Sequence, residues 1–245
     1  MREILIRPHL GLGDALICNA IVRYYAQRYQ VTVFAKPPNT KAVAWMFRDD
    51  PNITVFEVDG DEEADAIRKH VESHQKEVLG LGFYGEKPFA KSHWDQEFYR
   101  QAKIAYPYRW HGFKVSQQLS MELPVPKGRY IFAHDDPDRK CLINPDYLPK
   151  KIKVFKPKRE LADNLFSYWS IIENAEEIHC MESCFAILVD HLPVIKAKRI
   201  VLHLYTRESI PPKYQRTWER ITERAPTQIQ NESDNQTVCD AAAQP

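Results

Sequence analysis

The stretch RPHLGLGDALICNAIVRYYAQRYQVTVFA, Arg7–Ala35, decides the fold class. It follows a short strand predicted at Glu3–Arg7, turns through two glycines, and continues into apolar residues spaced three and four positions apart. That spacing buries one face of a helix, which we predict over Ala15–Tyr29. Val31–Ala35 is a continuous apolar and β-branched run, as expected of a strand covered on both faces. The stretch therefore predicts a strand, a helix and a second strand.

The alternation continues along the chain, with an interruption in the middle. Further strands are predicted at Ile53–Val58, Val78–Phe83, Arg129–His134, Ile152–Phe155, Glu177–Cys180 and Arg199–Tyr205, and further helices at Thr40–Phe47, Glu62–Lys76, Leu165–Asn174 and Ser183–Leu192. Strands alternating with helices are typical of parallel sheets with helical crossovers. We therefore predict an α/β fold, with two compact Rossmann-like domains that face a cleft.

The domain boundaries follow from changes in composition. The first domain is predicted over residues 1–123, and a segment with Pro124 and Pro126 then leads to a second domain over residues 129–223. From about residue 224 the apolar pattern is lost, and the sequence ends in NESDNQTVCDAAAQP. Residues 224–245 are therefore predicted to be a disordered tail.

Composition and charge restrict the class of protein. Of 245 residues 44% are apolar and 27% charged, a balance typical of a folded soluble chain, and the net charge of +1 gives no reason to expect nucleic acid as a partner. Five cysteines without paired spacing favour a reducing compartment. The first ten residues reach a turn too early for a signal peptide, and no run approaches the ~20 apolar residues of a membrane span. We expect a cytoplasmic protein without a transmembrane segment.

An aromatic and basic segment, Tyr84–His111, separates the two halves. One interpretation is an ordinary helix that packs its aromatic side chains into the core. The other is an edge that binds an acceptor, because aromatic faces stack well on sugars and rings. The sequence leaves both open.

The GLGD motif at Gly11–Asp14 is the first candidate site. It lacks the third glycine of the dinucleotide fingerprint and the Gly-Lys-Ser/Thr of a phosphate loop, so it argues against a nicotinamide or ATP site. Gly11 and Gly13 let the backbone approach a ligand closely. Asp14 lies at or near the N-cap, where aspartate is a favoured capping residue, and it could equally point into a cleft.

A second group of candidate residues follows the strand that ends at His134. The chain turns through Asp135, Asp136 and Pro137 and then presents Arg139 and Lys140. Ligands of open parallel sheets bind beyond the carboxyl ends of the strands, where these two cations could hold a diphosphate. The alternative is a solvated turn whose charges pair with one another.

The segment AEEIHCMESCFAILVDHL supplies the third group of candidates. Glu182 and Ser183 open a helix directly after a strand, where the helix dipole and backbone N–H groups favour a phosphate. The Ser183 hydroxyl could add a hydrogen bond, and Glu182 could accept from a ribose or sugar hydroxyl. We predict no metal site, because His179 and Cys180 would point to opposite faces of their strand.

One more cation lies at a strand end. Arg207 follows the strand predicted at Arg199–Tyr205 and could close over an anionic ligand or merely cap the sheet edge.

Taken together, these motifs resemble the two-domain GT-B-type glycosyltransferases, in particular the bacterial lipopolysaccharide heptosyltransferases of family 9. Those enzymes carry an aspartate in a glycine-rich loop before the first helix, as Asp14 stands here, and HCMESCF at His179–Phe185 is similar to their donor-side turn. Two features depart from the family: 245 residues are few for two full domains, and Glu182-Ser183-Cys184 replaces the usual Asp-Thr/Ser-Gly…His run.

The resemblance implies an inverting, metal-independent glycosyltransferase without a cofactor. Residues 1–123 would be the acceptor side and 129–223 the side that binds a nucleotide-sugar donor. Asp14 would be the general base for an acceptor hydroxyl of a glycan or another molecule, and Arg139, Lys140 and the Ser183 turn would hold the diphosphate. The resemblance implies that the transferred sugar is a hexosyl or heptosyl group.

Two other function classes remain open from the sequence. A non-catalytic protein could hold a nucleotide or glycan in the same cleft, and the short length motivates that alternative. Another Rossmann-type enzyme, such as a methyltransferase or dehydrogenase, is disfavoured by the incomplete glycine pattern.

Overall fold

A computed structural model describes residues 1–82, 93–116, 123–136, 141–162, 164–205 and 211–223. The chain divides into two compact units. The first unit comprises Met1–Ser120, Asp163–Phe166 and Ile210–Gln215, and the second comprises Met121–Ala162, Ser167–Ser209 and Arg216–Pro245.

The first unit is built on a parallel sheet of four strands in the order β3-β2-β1-β4. Its strands are β1 Arg2–Arg7, β2 Tyr29–Ala35, β3 Ile53–Glu57 and β4 Glu77–Gly80, and its helices are α1 Leu12–Ala26, α2 Pro37–Phe47, α3 Asp61–Ser73, α4 Trp94–Gln101 and α5 Tyr108–His111. One helix connects each strand to the next, as the strand–helix alternation predicted.

The second unit is built on a parallel sheet of five strands in the order β6-β5-β7-β8-β9. Its elements are β5 Tyr130–His134, β6 Lys153–Phe155, α6 Trp169–Asn174, β7 Glu177–Met181, α7 Cys184–His191, β8 Arg199–His203 and β9 Glu219–Ile221, with a 3₁₀ turn at Pro145–Tyr147. The α/β class with parallel sheets is confirmed, whereas the domain boundaries and an arrangement around a cleft stay predictions.

Several element bounds differ from those predicted. The first helix ends at Ala26 rather than at residue 29, because Tyr29 already pairs with Arg2 as the first residue of β2. The helix predicted over Leu165–Asn174 opens as a 3₁₀ turn before α6 begins. Strand β9 was not predicted, because its three residues are mostly charged and carry no apolar alternation.

Helix α1 is buried on more than the one face predicted. Eight consecutive residues after Ala15, from Leu16 to Arg23, are buried, and the polar Asn19 and Arg23 are among them. The backbone of Lys114 explains this burial, since its N–H and C=O groups bond to the Asn19 side chain at 3.0 and 3.1 Å. The Tyr99 hydroxyl also donates to the Ile17 carbonyl at 2.8 Å.

The aromatic middle segment therefore contributes to the core where the structure describes it. Phe98 and Tyr99 are fully buried, and Tyr106, Trp94 and Trp110 are half-buried. For Phe98 and Tyr99, packing into the core is the interpretation that the structure supports. Residues 84–92 of this segment lie outside the described residues.

A buried ion pair fastens a distant segment of the chain to the first unit. Asp95 and Arg109 are both fully buried and hydrogen-bond to each other. Lys213 joins them through its backbone, because its carbonyl accepts from Arg109 Nη1 at 2.8 Å and its N–H lies 3.3 Å from the Asp95 carboxylate. Lys213 belongs to the same compact unit as Asp95 and Arg109.

Candidate functional site

Each sheet has one position where the direction of its crossovers reverses. In the first unit the chain runs outward from β1 through β2 to β3 and then returns to β4 on the other side of β1. In the second unit it runs from β5 to β6 and returns to β7 on the other side of β5. The carboxyl ends of β1 and β4, and of β5 and β7, are therefore the switch points where open parallel sheets bind ligands.

Asp14 lies at the switch point of the first unit. Helix α1 follows β1, and Gly11 is its N-cap, so Asp14 is the third helical residue rather than the cap itself. Its carboxylate folds back over the cap, because a Cβ on Gly11 would overlap Asp14 Oδ2. The side chain is half-buried. A glycine at position 11 is thus what leaves room for this carboxylate at the helix N-terminus.

His9 lies beside the same strand ends. Its ring stacks on Phe98 with centroids 6.2 Å apart, and a Cβ on Gly82 would lie only 2.7 Å from His9 Nε2. Gly82 has a φ of +135°, and its N–H and C=O both bond to the Gln101 side-chain amide at 2.9 Å. Burial lowers the pKa of His9, and the neighbouring Arg7 charge lowers it further, so the ring is neutral at pH 7.

The cation next to this site is already engaged. Arg7 is buried at the end of β1 and bonds to Asp61 at 2.6 Å and to Asp65 at 3.3 Å, both at the start of α3. Its charge is therefore matched within the unit. The other two titratable side chains described at this switch point are the Asp14 carboxylate and the neutral His9 imidazole, and groups of both kinds can accept a proton.

Ser183 and His134 meet at the switch point of the second unit. His134 ends β5, Ser183 follows β7, and these strands are neighbours in register, with His134 opposite Cys180. The Ser183 hydroxyl and His134 Nδ1 are hydrogen-bonded at 3.0 Å. The His134 ring also packs on Phe185 with centroids 4.4 Å apart, which fixes its orientation.

Ser183 is the N-cap residue of α7 but does not cap it with its side chain. An N-cap serine normally accepts from the backbone N–H two or three residues later, which here would be that of Phe185 or Ala186. Because the hydroxyl bonds to His134 instead, those N–H groups are not occupied by Ser183. They point along the helix dipole toward the position that an anion would take.

Of the other polar residues that the sequence places near this switch point, the structure describes Glu182 and Asp135. Glu182 is only 5% exposed, which leaves it little surface to offer a sugar hydroxyl. Asp135 is engaged by Lys156 Nζ at 2.6 Å and by the Ile143 N–H at 2.8 Å. Arg139, Lys140 and Arg207 lie outside the described residues, so their roles stay predictions.

A second pair of histidines is buried within this sheet. His179 Nδ1 and His203 Nε2 are hydrogen-bonded at 3.2 Å, and both side chains are fully buried. His179 also contacts Glu177, which in turn pairs with Arg199 at 3.3 Å. Burial lowers the pKa of both rings, that of His203 to about 3, so both are neutral at pH 7.

Sequence reasoning missed the site roles of His9 and His134. His134 was noted only as the end of a strand, and its partner Ser183 is 49 residues away along the chain. The position of both residues near the carboxyl ends of predicted strands could have indicated this pair. The strand order that makes β5 and β7 neighbours cannot be predicted from either segment alone. His9 lies two residues before Gly11, the first residue of the GLGD motif.

Within the described ranges, no group of three or more His, Cys, Asp or Glu side chains is arranged to hold a metal ion. Among the same residues, no helix has the length and apolar character needed to cross a membrane.

The fold of this chain is similar to that of a solved glycosyltransferase. The iron-containing dodecameric glycosyltransferase TibC from enterotoxigenic E. coli superposes with a TM-score of 0.58 at 13% identity, over 91% of this chain and 63% of TibC. The ADP-heptose lipopolysaccharide heptosyltransferase II of E. coli is a weaker match, with a TM-score of 0.44 at 10% identity over 89% of this chain and 90% of that chain. The resemblance drawn from the sequence is confirmed as a likeness of fold.

This chain spans 63% of the length of TibC. No known protein family matches the sequence, and no curated protein is similar to it in sequence.

Proposed function

We propose that this protein is a glycosyltransferase that moves a sugar from a nucleotide-sugar donor to an acceptor hydroxyl, with inversion at the anomeric carbon and without a metal ion. The fold likeness to TibC supports the class of reaction. The observation that carries the proposal is the contrast between the two switch points. One presents a carboxylate at Asp14, and the other presents the N-terminus of α7 with Ser183 and His134.

Asp14 is the general base in this proposal. The acceptor oxygen attacks the anomeric carbon while its proton passes to the Asp14 carboxylate, and the bond from that carbon to the diphosphate oxygen breaks. The nucleoside diphosphate leaves with the electron pair. A single displacement of this kind inverts the configuration, and general-base assistance typically contributes about 10²–10⁴-fold to the rate.

The second unit stabilises the charge that builds on the departing diphosphate. The N–H groups of Phe185 and Ala186 and the Ser183 hydroxyl are donors at the N-terminus of α7, and donors in fixed positions are the main means of stabilising a developing anion. Arg139, Lys140 and Arg207 are proposed to supply positive charge. No metal ion is needed in this scheme.

A cytoplasmic location fits the same proposal. Cys18, Cys141, Cys180 and Cys184 form no disulfide among the described residues, and thiols persist in a reducing compartment. The partners are a nucleotide-sugar donor and a glycan or another hydroxyl acceptor.

A non-catalytic protein that binds a nucleotide or glycan is the alternative function. The donor-side turn favours it, because Glu182-Ser183-Cys184 replaces the Asp-Thr/Ser-Gly…His run of the family that the sequence resembles. Both functions predict that a nucleoside diphosphate stabilises the protein, so only turnover separates them.

The deciding experiment is an assay of nucleotide-sugar consumption with a panel of donors, in the presence of a chelator. We expect release of nucleoside diphosphate, a loss of about 10²–10⁴-fold in kcat for Asp14→Asn, and unchanged binding of the diphosphate. Glu62→Gln is the matched control, because Glu62 is an exposed acid in the first turn of α3. Binding without turnover would favour the alternative, and turnover that survives Asp14→Asn would remove Asp14 as the base.

A further inference from the structure

We propose that His134 is a positioning residue for the donor diphosphate: its Nδ1 draws the Ser183 hydroxyl off the α7 cap and relays a hydrogen bond through it to the anion. This inference rests on the proposed function, which brings a nucleoside diphosphate to α7. It adds a residue that neither the sequence motifs nor the comparisons assigned.

The first support is a local preference that the chain does not satisfy. Ser183 has the extended backbone of an N-cap residue, with φ −154° and ψ 175°, yet its side chain makes no capping hydrogen bond. Loss of a serine cap typically costs about 1 kcal/mol of helix stability. Departures of this kind are expected where a site requires them. Here the departure leaves the N–H groups of Phe185 and Ala186 for another acceptor.

The second support is the geometry of the imidazole. The ring packs against Phe185, 4.4 Å between centroids and tilted by 38°, and Phe185 in turn packs on Phe132 and Tyr168. Because this contact fixes the plane of the ring, Nδ1 is held toward Ser183 Oγ at 3.0 Å. The hydroxyl is thereby placed by a rigid partner rather than by its own rotamer preference.

The direction of this hydrogen bond determines what Ser183 offers to a ligand. When Nδ1 is unprotonated, the hydroxyl donates to it and presents only lone pairs outward, which repel an anion. When Nδ1 carries the proton, it donates to Ser183 Oγ, and the hydroxyl hydrogen is available to a phosphate oxygen. Linked hydrogen bonds also polarise one another. A bound diphosphate therefore selects the tautomer or charge state with a proton on Nδ1.

Three variants separate this role from simple packing. His134→Phe keeps a ring against Phe185 but has no nitrogen, so we expect the Kd for ADP or UDP to rise about 10-fold, as for loss of a hydrogen bond to a charged group. His134→Asn places a polar side-chain atom near the position of Nδ1, and its Kd should stay within about threefold of the unmodified protein. Ser183→Ala should match His134→Phe, and the double variant should be no weaker than either single one.

A second measurement is made on the unmodified protein. The side-chain ¹⁵N signal of His134 Nδ1 is expected to change from the unprotonated to the protonated type when the protein is saturated with ADP. His134→Asn, which removes one of nine histidines, assigns that signal.

The outcomes distinguish the inference from the function on which it rests. If the unmodified protein binds no nucleoside diphosphate, the proposed function fails. If it binds ADP or UDP but the Nδ1 signal does not change, or if His134→Phe binds as tightly as the unmodified protein, the positioning role is overturned and the proposed function stands. Equal weakening by Phe and Asn at position 134 would also overturn it, because packing would then explain the loss.

Discussion

The N-termini of α1 and α7 occupy equivalent places in their two units, but the polar side chain at each N-terminus is oriented differently. It points toward the cap at α1 and away from the cap at α7. Each helix follows the strand beside its switch point. At α1 the cap is Gly11, and the carboxylate of Asp14 folds back onto it. At α7 the cap is Ser183, whose hydroxyl is turned away toward His134.

In the proposed reaction, this difference gives the two helix N-termini different chemical roles. A helix N-terminus that holds its own carboxylate has no place for an anion, but it has a group that takes up protons. A helix N-terminus whose cap is drawn aside keeps its N–H groups for a phosphate. One side chain at the helix N-terminus, Asp14 in α1 or Ser183 in α7, is enough to determine which of these two arrangements forms.

Making the second helix resemble the first is expected to have the largest effect. Ser183→Asp places a carboxylate at the α7 N-cap, where aspartate caps as well as serine does. The free energy of unfolding should be unchanged or slightly higher, whereas the Kd for ADP should rise about 100-fold from charge repulsion and the lost hydroxyl donor. Calorimetric titration and thermal denaturation together measure both quantities.

Ser183→Ala is the matched control for that change, since it removes the donor without adding charge and should weaken binding about 10-fold. If the Asp variant binds ADP as tightly as the Ala variant, the anion does not sit at α7.

The buried polar groups of the two units also differ, and pH tests that difference. The first unit buries the Asp95–Arg109 ion pair, and the second buries two neutral histidines. Because burial lowers the pKa of His203 to about 3, the native state takes up no proton there as the pH falls from 6.5 to 5.5, while the unfolded state does. Stability should therefore fall with falling pH, by about 1 kcal/mol between pH 6.5 and 5.5 for His203.

Urea denaturation between pH 7.5 and 5.5 measures this slope. His203→Phe keeps an aromatic ring beside Tyr147 and should remove the contribution of one histidine, whatever its effect on stability at pH 7.5. An unchanged slope in the variant would mean that His203 is protonated in the folded protein.

The smallest effect is expected from Gly11→Ala at the first helix. The backbone at position 11, with φ −68° and ψ 142°, accepts any residue, but the new Cβ would displace the Asp14 carboxylate. Unfolding free energy should change by less than about 1 kcal/mol. The kcat should fall about fivefold, equivalent to about 1 kcal/mol of barrier, because the base is moved and not removed. Full activity in this variant would contradict the proposed role of the Asp14 carboxylate as the general base.

The sequence predicted the regular part of the fold because each strand and helix carries its own pattern. The predicted strand at Ile53–Val58 and the helix at Ser183–Leu192 agree with the structure to within one residue at each end. Strand β9 could not be predicted, because three residues with two charges show no period.

The candidate sites were predictable only in part, for a different reason. Asp14 and Ser183 stand where a strand turns into a helix, and that junction is readable locally. The His134–Ser183 hydrogen bond depends on β5 and β7 being neighbours, and the exposed fraction of Glu182 depends on what packs over it. Such properties belong to the assembled sheet and not to any one segment.

The attachment of Lys213 to Asp95 and Arg109 has a consequence for biosynthesis. The hydrogen bonds that complete this buried pair come from a residue 118 positions after Asp95. A growing chain therefore cannot finish its first unit until nearly the whole of both sheets has been translated. For the same reason, a fragment cut between Pro124 and Pro126 would lack the backbone groups that its buried charges require.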